Sequence, residues 1–586
     1  MRFVIAIVLF LLAFVSIGYG IAQRTILAGP ASFTTTVTTD SSAPITLIDG
    51  ATLHAFEGTQ GLTVSGSKDV FIADGRTDDV RAWVGTTSYN KVGFAAKTQK
   101  LTSKVVTGKE STAPSPVGSD LWVQEFSGTT QLIRQINVPT SASVIIMSDG
   151  KKAAPSHVSI TWPLDNSAPW SGPLIIGGIG ALLLGFAAFL WALVHARRRR
   201  GPRRKQLRQP RNPRPPQLKR SMAAGPPAIA APSRRGRRRN FVATSVILAG
   251  TLVLSGCSLL GSTTGGGNSA TPSASSTVPG AAGLQQVAVT EPQLKHIVAN
   301  VIHTVGDADA KADPALAATR LDGPALQLRV ANYAIHAADS SIPILTSIPN
   351  WDVKIALPQQ SDTWPRAVFT VIAPPVSDDK KSAPIGMMLV QQSPRQNYKV
   401  QYLMTLELDV PDVAPATLGA ARLLNDNKLG ILAPSELAAA YGDILIKGDA
   451  SKENDLFAAT GDKLRVAVGH DYKQATASQL PSTAAIAFSN GQGTGETIAF
   501  GTNNSGQIVA VDLDDTETVK PTEAGAAINP SGATKALSGK AQSVTGIIAT
   551  YGLQLLFYVP PVSGSGKKIE LLGFAQGLVA ASEVPG

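Results

Sequence analysis

The first apolar run begins almost at the start of the chain and covers residues 3–22. About twenty apolar residues are enough to cross a bilayer core of about 30 Å. The run is longer than the apolar part of a cleaved signal, which is usually about 7–15 residues. The pattern therefore predicts a signal anchor, a transmembrane segment over residues 1–23. Gly20 and Ala22 leave a cleavage site before Gln23 as the alternative.

A second run, over residues 173–194, contains no charged residue. It predicts a transmembrane helix over residues 171–195. Gly177, Ala181 and Gly185 recur every four residues and share one face of such a helix. Small residues at this spacing let two helices approach closely. The alternative is that Gly and Ala are simply common in membrane helices.

Residues 24–170 show no helical periodicity and read as short strands separated by turn residues. The strand-like segments are rich in β-branched side chains, which favour extended structure. Such segments are 32–38, 70–73, 144–147 and 158–162, with turns at Asp74-Gly75 and Asp149-Gly150. Short strands broken by Gly, Asp and Ser turns are typical of sandwiches. We expect an extracytoplasmic, all-β sandwich-like domain over residues 24–170.

Residues 286–586 show a helical stripe followed by strand patterns, and this order occurs twice. Pro292 and Pro434 stand where the first turn of a helix accepts proline. Three segments recur: Gly306-Asp307-Ala308 as Gly448-Asp449-Ala450, Ala317-Ala318-Thr319 as Ala458-Ala459-Thr460, and Leu328-Arg329-Val330-Ala331 as Leu464-Arg465-Val466-Ala467. Strands are predicted at 351–357, 366–372, 385–391 and 398–405, and again at 484–488, 497–500, 507–513, 553–559 and 569–574. The pattern predicts an α+β domain made of two related repeats, 286–427 and 428–586.

The order of helices and then strands in these repeats resembles the cone-shaped domains of the nuclear-transport-factor and cystatin types. Folds of this type often hold a pocket, so the resemblance implies one here. The expected fold class of the whole chain is therefore multidomain. It combines an N-terminal all-β sandwich-like domain, transmembrane helices and a C-terminal α+β domain of two related repeats.

Charge is concentrated in one block. The chain has 52 Lys and Arg against 41 Asp and Glu, but 17 of the basic residues lie within 197–239, which contains no acid. The remainder is mildly acidic, so the overall charge does not indicate a nucleic-acid partner. Basic residues beside a span stay in the cytoplasm. With eight prolines in the same stretch, residues 196–240 are predicted to be a disordered cytoplasmic linker that contacts membrane lipids. Both folded domains are then expected to be extracytoplasmic, at the cell membrane.

A third apolar run, 241–257, follows the basic block and ends in Leu254-Ser255-Gly256-Cys257, which includes the only cysteine of the chain. This ending resembles the lipobox of bacterial lipoproteins. The resemblance implies cleavage before Cys257, lipidation of its thiol and a flexible linker over residues 258–285. An ordinary third transmembrane helix is the alternative.

Two spans, an outer β-domain and a lipoprotein signal together resemble an uncharacterised actinobacterial family of membrane proteins fused to a lipoprotein. The arginine-rich block and the richness in Ala and Gly suit a high-GC genome. Met222 stands 35 residues before Cys257 and could open an independent lipoprotein. A natural fusion and two adjacent genes read as one therefore both remain open.

Candidate metal ligands are sparse. One cysteine excludes an intramolecular disulfide and any multi-cysteine zinc site. Seven histidines are present, and His296 and His303 share a helix face without a nearby third ligand. Asp74, Asp78 and Asp79 lack the regular spacing of a calcium loop and are expected in a solvated turn. We predict no metal, cofactor-binding or catalytic residue.

Three further motifs have structural interpretations. The acidic stretch 511–515 is interpreted as a strand end that runs into a polar turn, and the glycine-rich stretch 491–495 as a hairpin loop. A phosphate loop would need a following helix and a lysine. Arg329 and Arg465, equivalent in the two repeats, either brace the fold or bind an anionic ligand.

No reaction is indicated by these residues, and we expect a protein that is not an enzyme. The first hypothesis is a non-catalytic envelope protein or lipoprotein that acts as a scaffold or accessory subunit, with another envelope membrane protein as a possible partner. The second is an extracytoplasmic lipoprotein that binds a small molecule or lipid. The only functional residue predicted is the lipidation site Cys257.

Overall fold

The computed structural model describes residues 2–39, 41–199, 286–375, 382–564 and 566–586. They fall into two units, which are treated separately: residues 1–21 with 170–282, and residues 22–169 with 283–586. Elements are numbered in chain order. The first helix, α1 (Arg2–Arg24), is 23 residues long and apolar enough to cross a membrane. It covers the predicted signal anchor.

The β-domain follows and is built on one eight-stranded sheet. Its elements are β1 (Ser32–Thr38), β2 (Ile45–Asp49), α2 (Gly50–Leu53), β3 (Gln60–Arg76), α3 (Thr77–Val84), β4 (Tyr89–Ala95), β5 (Lys100–Val106), β6 (Gln124–Ile136), β7 (Ala142–Met147) and β8 (His157–Pro163). The strand order is β1-β8-β3-β7-β2-β4-β5, with β6 also paired to β3. Long strand β3 changes register between Ser65 and Asp69, and such irregularities bend a sheet.

This sheet is nearly closed, whereas the sequence pattern suggests a sandwich. Its two edge strands approach each other, and the backbone N–H of Leu101 in β5 donates to Thr35 Oγ1 in β1 at 3.5 Å. Aromatic rings fill the enclosed core: Trp162 lies 6.0 Å from Phe33 and 5.3 Å from Phe94, between ring centroids. Because Phe33 and Phe94 belong to strands near the two edges, their burial favours closure over two separate sheets.

Two local expectations in the β-domain are wrong. Asp74-Gly75 is not a turn, because β3 continues through both residues to Arg76. The domain also contains the eight-residue helix α3, which begins immediately afterwards. Its apolar face, with Val80, Trp83 and Val84, is buried and covers one side of the sheet. The helix is too short to display a periodicity that sequence reading detects.

Helix α4 (Ser171–Arg199) is the second helix that is long and apolar enough to cross a membrane. It packs against α1 in the opposite direction, with the rings of Phe3 and Phe189 6.0 Å apart. Glycines allow the close approach. A methyl group at Gly178 would lie 2.6 Å from Ile17 Cγ1, and one at Gly185 would lie 3.2 Å from Leu9 Cβ.

The small-residue face predicted for α4 is therefore present but shifted by one residue. Gly178, Ala181 and Gly185 contact or are buried against α1, whereas nothing lies within 4 Å of Gly177. Buried alanines on α1, Ala6 and Ala13, complete the contact. The close approach is made between α4 and α1 of this chain.

The C-terminal domain begins with three helices, α5 (Glu291–Lys311), α6 (Pro314–Ala317) and α7 (Gly323–Ala338). Helix α5 starts with a capping box: the Thr290 side chain accepts from the backbone of Gln293, whose side chain accepts from the backbone of Thr290. This satisfies two of the N–H groups left open at a helix start. An antiparallel meander follows, of β9 (Asp352–Pro358), β10 (Arg366–Ala373), β11 (Ile385–Gln391) and β12 (Lys399–Leu406).

The second part of the domain again places helices before most of its strands. Its elements are β13 (Arg422–Leu423), α8 (Leu437–Lys447), α9 (Lys463–Val468), α10 (His470–Ser478), β14 (Ala484–Gln492), β15 (Ile498–Gly501), β16 (Gln507–Pro521), α11 (Gly532–Ser538), β17 (Ile547–Val559) and β18 (Glu570–Glu583). A turn of 3₁₀-helix at Pro434–Glu436 leads into α8. The predicted strand positions agree closely with both sets.

All ten strands of this domain belong to one sheet, ordered β13-β15-β16-β17-β18-β12-β11-β10-β9 with β14 on β16. The two parts join where β12 pairs with β18, through Thr405 with Phe574 and Leu406 with Gly573. Successive side chains along each strand point to opposite faces of the sheet, so the two faces have different cores. Val368 and Val509 pack towards the helices, in separate clusters, whereas Phe369 and Ile508 belong to one apolar layer shared by both parts. The shared layer makes the two parts one domain.

Candidate functional site

The predicted lipidation site, Cys257, lies outside the described residues, so its prediction stays open. His296 and His303 lie exposed on α5, and the nearest acid given for His303 is Asp307 at 3.6 Å. Within the described ranges, no group of three or more His, Cys, Asp or Glu side chains could hold a metal ion.

The acidic residues near Asp74 are not in a solvated turn. Asp74 is buried in β3, and this burial raises its pKa to about 6. Asp79 is 2 % exposed at the start of α3. Its carboxylate lies 2.8 Å from Arg76 Nε and 2.8 Å from Arg366 of the C-terminal domain. Asp79 therefore belongs to an interdomain ion-pair cluster.

The second acidic stretch is also placed differently from the sequence interpretation, because Asp512, Asp514 and Asp515 lie inside the long strand β16. Asp512 accepts from the backbone N–H of Gly495 at 2.9 Å, and burial raises its pKa to about 6. Asp515 forms a buried ion pair with Lys473 at 2.6 Å. The interpretation of residues 491–495 as a hairpin loop is wrong, because β14 runs to Gln492 and pairs with β16 and not with the next strand, β15.

Arg329 and Arg465 support the structural interpretation of the repeated motif. Arg329 is buried and lies 3.1 Å from both carboxylate oxygens of Asp309. The hydroxyl of Tyr333 donates to the same carboxylate at 2.6 Å. Arg465 lies 3.3 Å from Asp462 and donates to Asn454 at 2.9 Å. Each guanidinium group forms an ion pair with an acid of its own part, which favours the bracing role. Nη2 of Arg465 is buried without a hydrogen-bond partner among the described residues.

The most elaborate polar arrangement joins the β-domain to the first part of the C-terminal domain, and we call it the seam. On the β-domain it comprises Arg76, Asp79, residues 83–87, Glu110 and residues 118–121; on the C-terminal domain it comprises residues 286–288, Gln293, Arg320, residues 364–366 and residues 395–398. Both domains belong to one unit of the structure.

Arg395, in the turn between β11 and β12, reaches the end of α3. Its Nε donates to the carbonyl of Trp83 at 2.8 Å and Nη2 to that of Val84 at 2.8 Å. Carbonyls in the last turn of a helix lack partners within the helix and attract cations. Nη1 donates to Glu110 at 2.9 Å, and this bond holds the pKa of Glu110 below its usual value. One side chain of the C-terminal domain therefore caps a helix of the β-domain.

Asp120 forms the centre of the seam. Its carboxylate accepts from Arg320 at 2.6 Å and from the backbone N–H of Tyr398 at 2.8 Å. Asp120 and Arg320 are 2 % and 7 % exposed. Next to them, Asn397 accepts from the backbone N–H of Asp120 and donates to the carbonyl of Gly118, both at 3.0 Å. This reciprocal pair fixes the alignment of the two domains along the seam.

Apolar contact accompanies the charges. Trp364 packs against the apolar cluster that lies under α3 in the β-domain, which includes Val80 and Trp83. The guanidinium of Arg366 lies 3.7 Å from the centroid of the Trp364 ring, a favourable cation–π geometry. The indole N–H donates to Gln391 at 2.8 Å. Trp364 thus extends the core of one domain with a side chain from the other.

A separate cavity of about 540 Å³ lies within the C-terminal domain. Its walls come from α7, the segment after it, β11, β12, β17 and β18, and they are mainly apolar, with Leu328, Trp351, Leu403 and Phe574. Arg329 is the only charged residue among the described lining residues, and Asp309 neutralises it. The cavity therefore suits an uncharged apolar group.

Sequence reading does not find the seam. For the cavity it gives only the pocket expected of cone-like folds and none of the lining residues. Asp120 and Arg320 are 200 positions apart, and each looks like an ordinary surface residue in its local context. The sequence contains a weak indication only of helix α3, because Asp78 and Asp79 stand in the first turn of a short amphipathic segment, where acids are favourable.

The fold defines a nearly closed β-domain docked on a larger helix-and-sheet domain, in a chain with two apolar helices. Residues 285–583 match the family described as Domain of unknown function (DUF8094), and the chain belongs to this family. No curated protein and no solved structure matches the chain.

Arg320→Ala is expected to destabilise the purified full-length protein strongly. The substitution leaves the carboxylate of Asp120 in the seam without its cation, and breaking a buried ion pair costs about 3–5 kcal/mol. We expect the midpoint of thermal unfolding in detergent, followed by circular dichroism, to fall by several degrees. Arg81→Ala is the matched control, because Arg81 on α3 makes only a half-exposed pair with Asp49 at 3.6 Å. Such pairs contribute about 0–1 kcal/mol. Equal midpoints for the two variants would show that the Asp120–Arg320 pair does not stabilise the seam.

Proposed function

We propose that this chain is a non-catalytic cell-envelope protein that acts as a scaffold or accessory subunit, holding two docked domains at the membrane. The observation that carries the proposal is the seam, in which three ion pairs and a helix cap join the β-domain to the C-terminal domain. Such an arrangement presents two domains to a partner in one fixed alignment. The partner would be another envelope membrane protein.

The seam also supports a topology. Domains that share buried ion pairs must lie on the same side of a membrane, since a bilayer core excludes unpaired charges. If α4 crosses the membrane after the β-domain, the chain must return before the C-terminal domain begins. By sequence, the apolar run 241–257 is suited to that return. The basic block at 197–239 would then be cytoplasmic and both domains extracytoplasmic.

Within this proposal, Cys257 is the lipidation site, and the chain is an actinobacterial membrane protein fused to a lipoprotein. The support is the sequence Leu254-Ser255-Gly256-Cys257 at the end of the third apolar run. A lipid on Cys257 would anchor the C-terminal domain on the outer face. The seam would hold that domain against the β-domain.

We also propose that the C-terminal domain arose from two related cone-like repeats. In both parts helices precede most of the strands, and each part packs its helices on its own apolar cluster. The recurring segments Leu328–Ala331 and Leu464–Ala467 lie in α7 and α9, and the arginine of each is paired with an acid of its own part.

Single-cysteine labelling tests the topology. In a Cys257→Ala background, Thr98→Cys and Lys452→Cys place exposed thiols on the β-domain and the C-terminal domain. Gln206→Cys introduces a thiol into the sequence of the basic block. A membrane-impermeant maleimide is expected to label positions 98 and 452 in intact spheroplasts, and position 206 only after permeabilisation. Labelling of only one of positions 98 and 452 in intact spheroplasts would contradict the proposed docking across the seam.

To test the scaffold role and the lipidation of Cys257, the native host is fed an alkyne fatty acid and the protein is purified from its membranes. A C-terminally tagged chain is expected to recover a stable partner in mild detergent, and the Arg320→Ala variant is expected to recover much less of it, because its two domains are no longer aligned. The fatty-acid label should disappear in Cys257→Ala. Arg81→Ala should behave like wild type. Recovery of the chain alone from native membranes would count against the scaffold role.

A second candidate function is the binding of a small apolar molecule or lipid, and the cavity favours it. Its volume of about 540 Å³ lies in the range of ligand sites, about 300–1,000 Å³. The Gln554 side chain already accepts from the backbone N–H of Leu403 at 2.8 Å. With Arg329 neutralised, the described lining residues offer no free charge, so the ligand would be uncharged.

Ala575→Leu is expected to weaken the binding of N-phenyl-1-naphthylamine, an uncharged fluorescent probe, because Ala575 lines the cavity and its replacement reduces the space. Ala580→Leu is the matched control, exposed on the same strand β18. Fluorescence titration of the purified full-length protein should show saturable binding for wild type and control, with an affinity loss of about tenfold in Ala575→Leu, which corresponds to about 1.4 kcal/mol. Absence of saturable binding in wild type, or preference for anionic oleate, would contradict the predicted site.

A further inference from the structure

We infer that the seam is a self-sufficient interface: the C-terminal domain stays bound to the β-domain after the chain between them, residues 200–285, has been cut. The binding partner of the C-terminal part is then the N-terminal part of its own chain. The inference deepens the proposed function, since it names what holds the docked domains together, but it rests on the seam alone and not on the scaffold role.

On the C-terminal domain, most contacts of the seam come from residues that are distant in sequence from the connecting segment 200–285. Arg320 precedes α7, Arg366 begins β10, and Arg395 lies between β11 and β12. Only residues 286–288 adjoin the connecting segment, and their carbonyl groups accept from Arg76, at 2.5 Å for Val287 and 3.4 Å for Ala288. Cutting between 199 and 286 therefore removes no contact given for the seam.

The three ion pairs of the seam all have the same polarity, with the acid on the β-domain and the arginine on the C-terminal domain. The β-domain supplies the acids Asp79, Asp120 and Glu110, and the C-terminal domain supplies the arginines that meet them, Arg366, Arg320 and Arg395. Three pairs of the same polarity give attraction between separate pieces and disfavour pairing of either piece with a copy of itself.

Arg and Trp, two of the residue types that dominate the binding energy of protein interfaces, occur in the seam. Trp364 enters the apolar cluster beneath α3, and Arg366, which pairs with Asp79, is 1 % exposed. Separation would expose Trp364 and leave the last carbonyls of α3 without the donor Arg395. Both changes oppose dissociation.

A protease site placed within residues 258–285 of the full-length chain tests the inference, in a Cys257→Ala background that removes the predicted processing before Cys257. After complete cleavage in detergent, a C-terminal tag is expected to retain the N-terminal piece through gel filtration at micromolar concentration. The Arg320→Ala/Arg395→Ala double variant should release it, with the retained fraction falling at least tenfold. Arg81→Ala should retain it like wild type.

Asn397→Ala provides a milder test in case the double variant fails to fold, because it removes only the reciprocal bonds to Gly118 and Asp120. It is expected to speed dissociation of the cleaved pieces while the uncut variant keeps its circular dichroism spectrum. Wild-type pieces that separate on cleavage, while each stays folded, would overturn the inference. If positions 98 and 452 were still labelled from the same side, the proposed topology would stand even though the pieces separate. Failure of this inference and failure of the proposed topology are therefore distinguishable.

Discussion

The burial of two acid–arginine pairs between the β-domain and the C-terminal domain, Asp79–Arg366 and Asp120–Arg320, is the constraint on which the rest of the arrangement depends. A third pair, Glu110–Arg395, lies at the exposed edge of the same contact. Asp79, Asp120 and Glu110 meet arginines of the other domain, and a buried carboxylate is tolerable only with such a partner. The pairs therefore contribute alignment more than net stability, while Trp364 supplies apolar contact. These pairs form only when the two domains are in contact, and this requirement underlies the proposed topology.

The two apolar helices associate through a different kind of contact from the ion pairs that join the two folded domains. Helices in lipid gain little from apolar burial, so close backbone approach and shape decide whether they associate. Gly178 and Gly185 on α4 provide that approach to α1 within the same chain. The small-residue face of α4, which could suggest an external partner, is thus already in contact with α1. The case for a partner consequently depends on the two folded domains and not on the helix pair.

Much of the fold could be predicted because it depends on local periodicity. The strand predicted at 385–391 is observed as Ile385–Gln391, and Pro292 lies in the first turn of α5. Features that depend on distant pairing could not be predicted: closure of the β-domain rests on Phe33 and Phe94 meeting Trp162, and the seam pairs residues 200 positions apart. The error at Asp74 has the same origin, since Asp-Gly is typical of a turn and only the neighbouring strands extend β3 through it.

The cap on α3 has a consequence for biogenesis. Its donor, Arg395, is synthesised about 310 residues after Trp83 and Val84, which at about 5–20 residues per second takes roughly 15–60 s. During that interval the docking face of the β-domain is uncovered. Carboxylates such as Asp120 and Glu110 are well hydrated in that state, whereas an equally large apolar face would attract other nascent chains. A charged docking face is thus suited to a chain whose two docked domains are completed at different times.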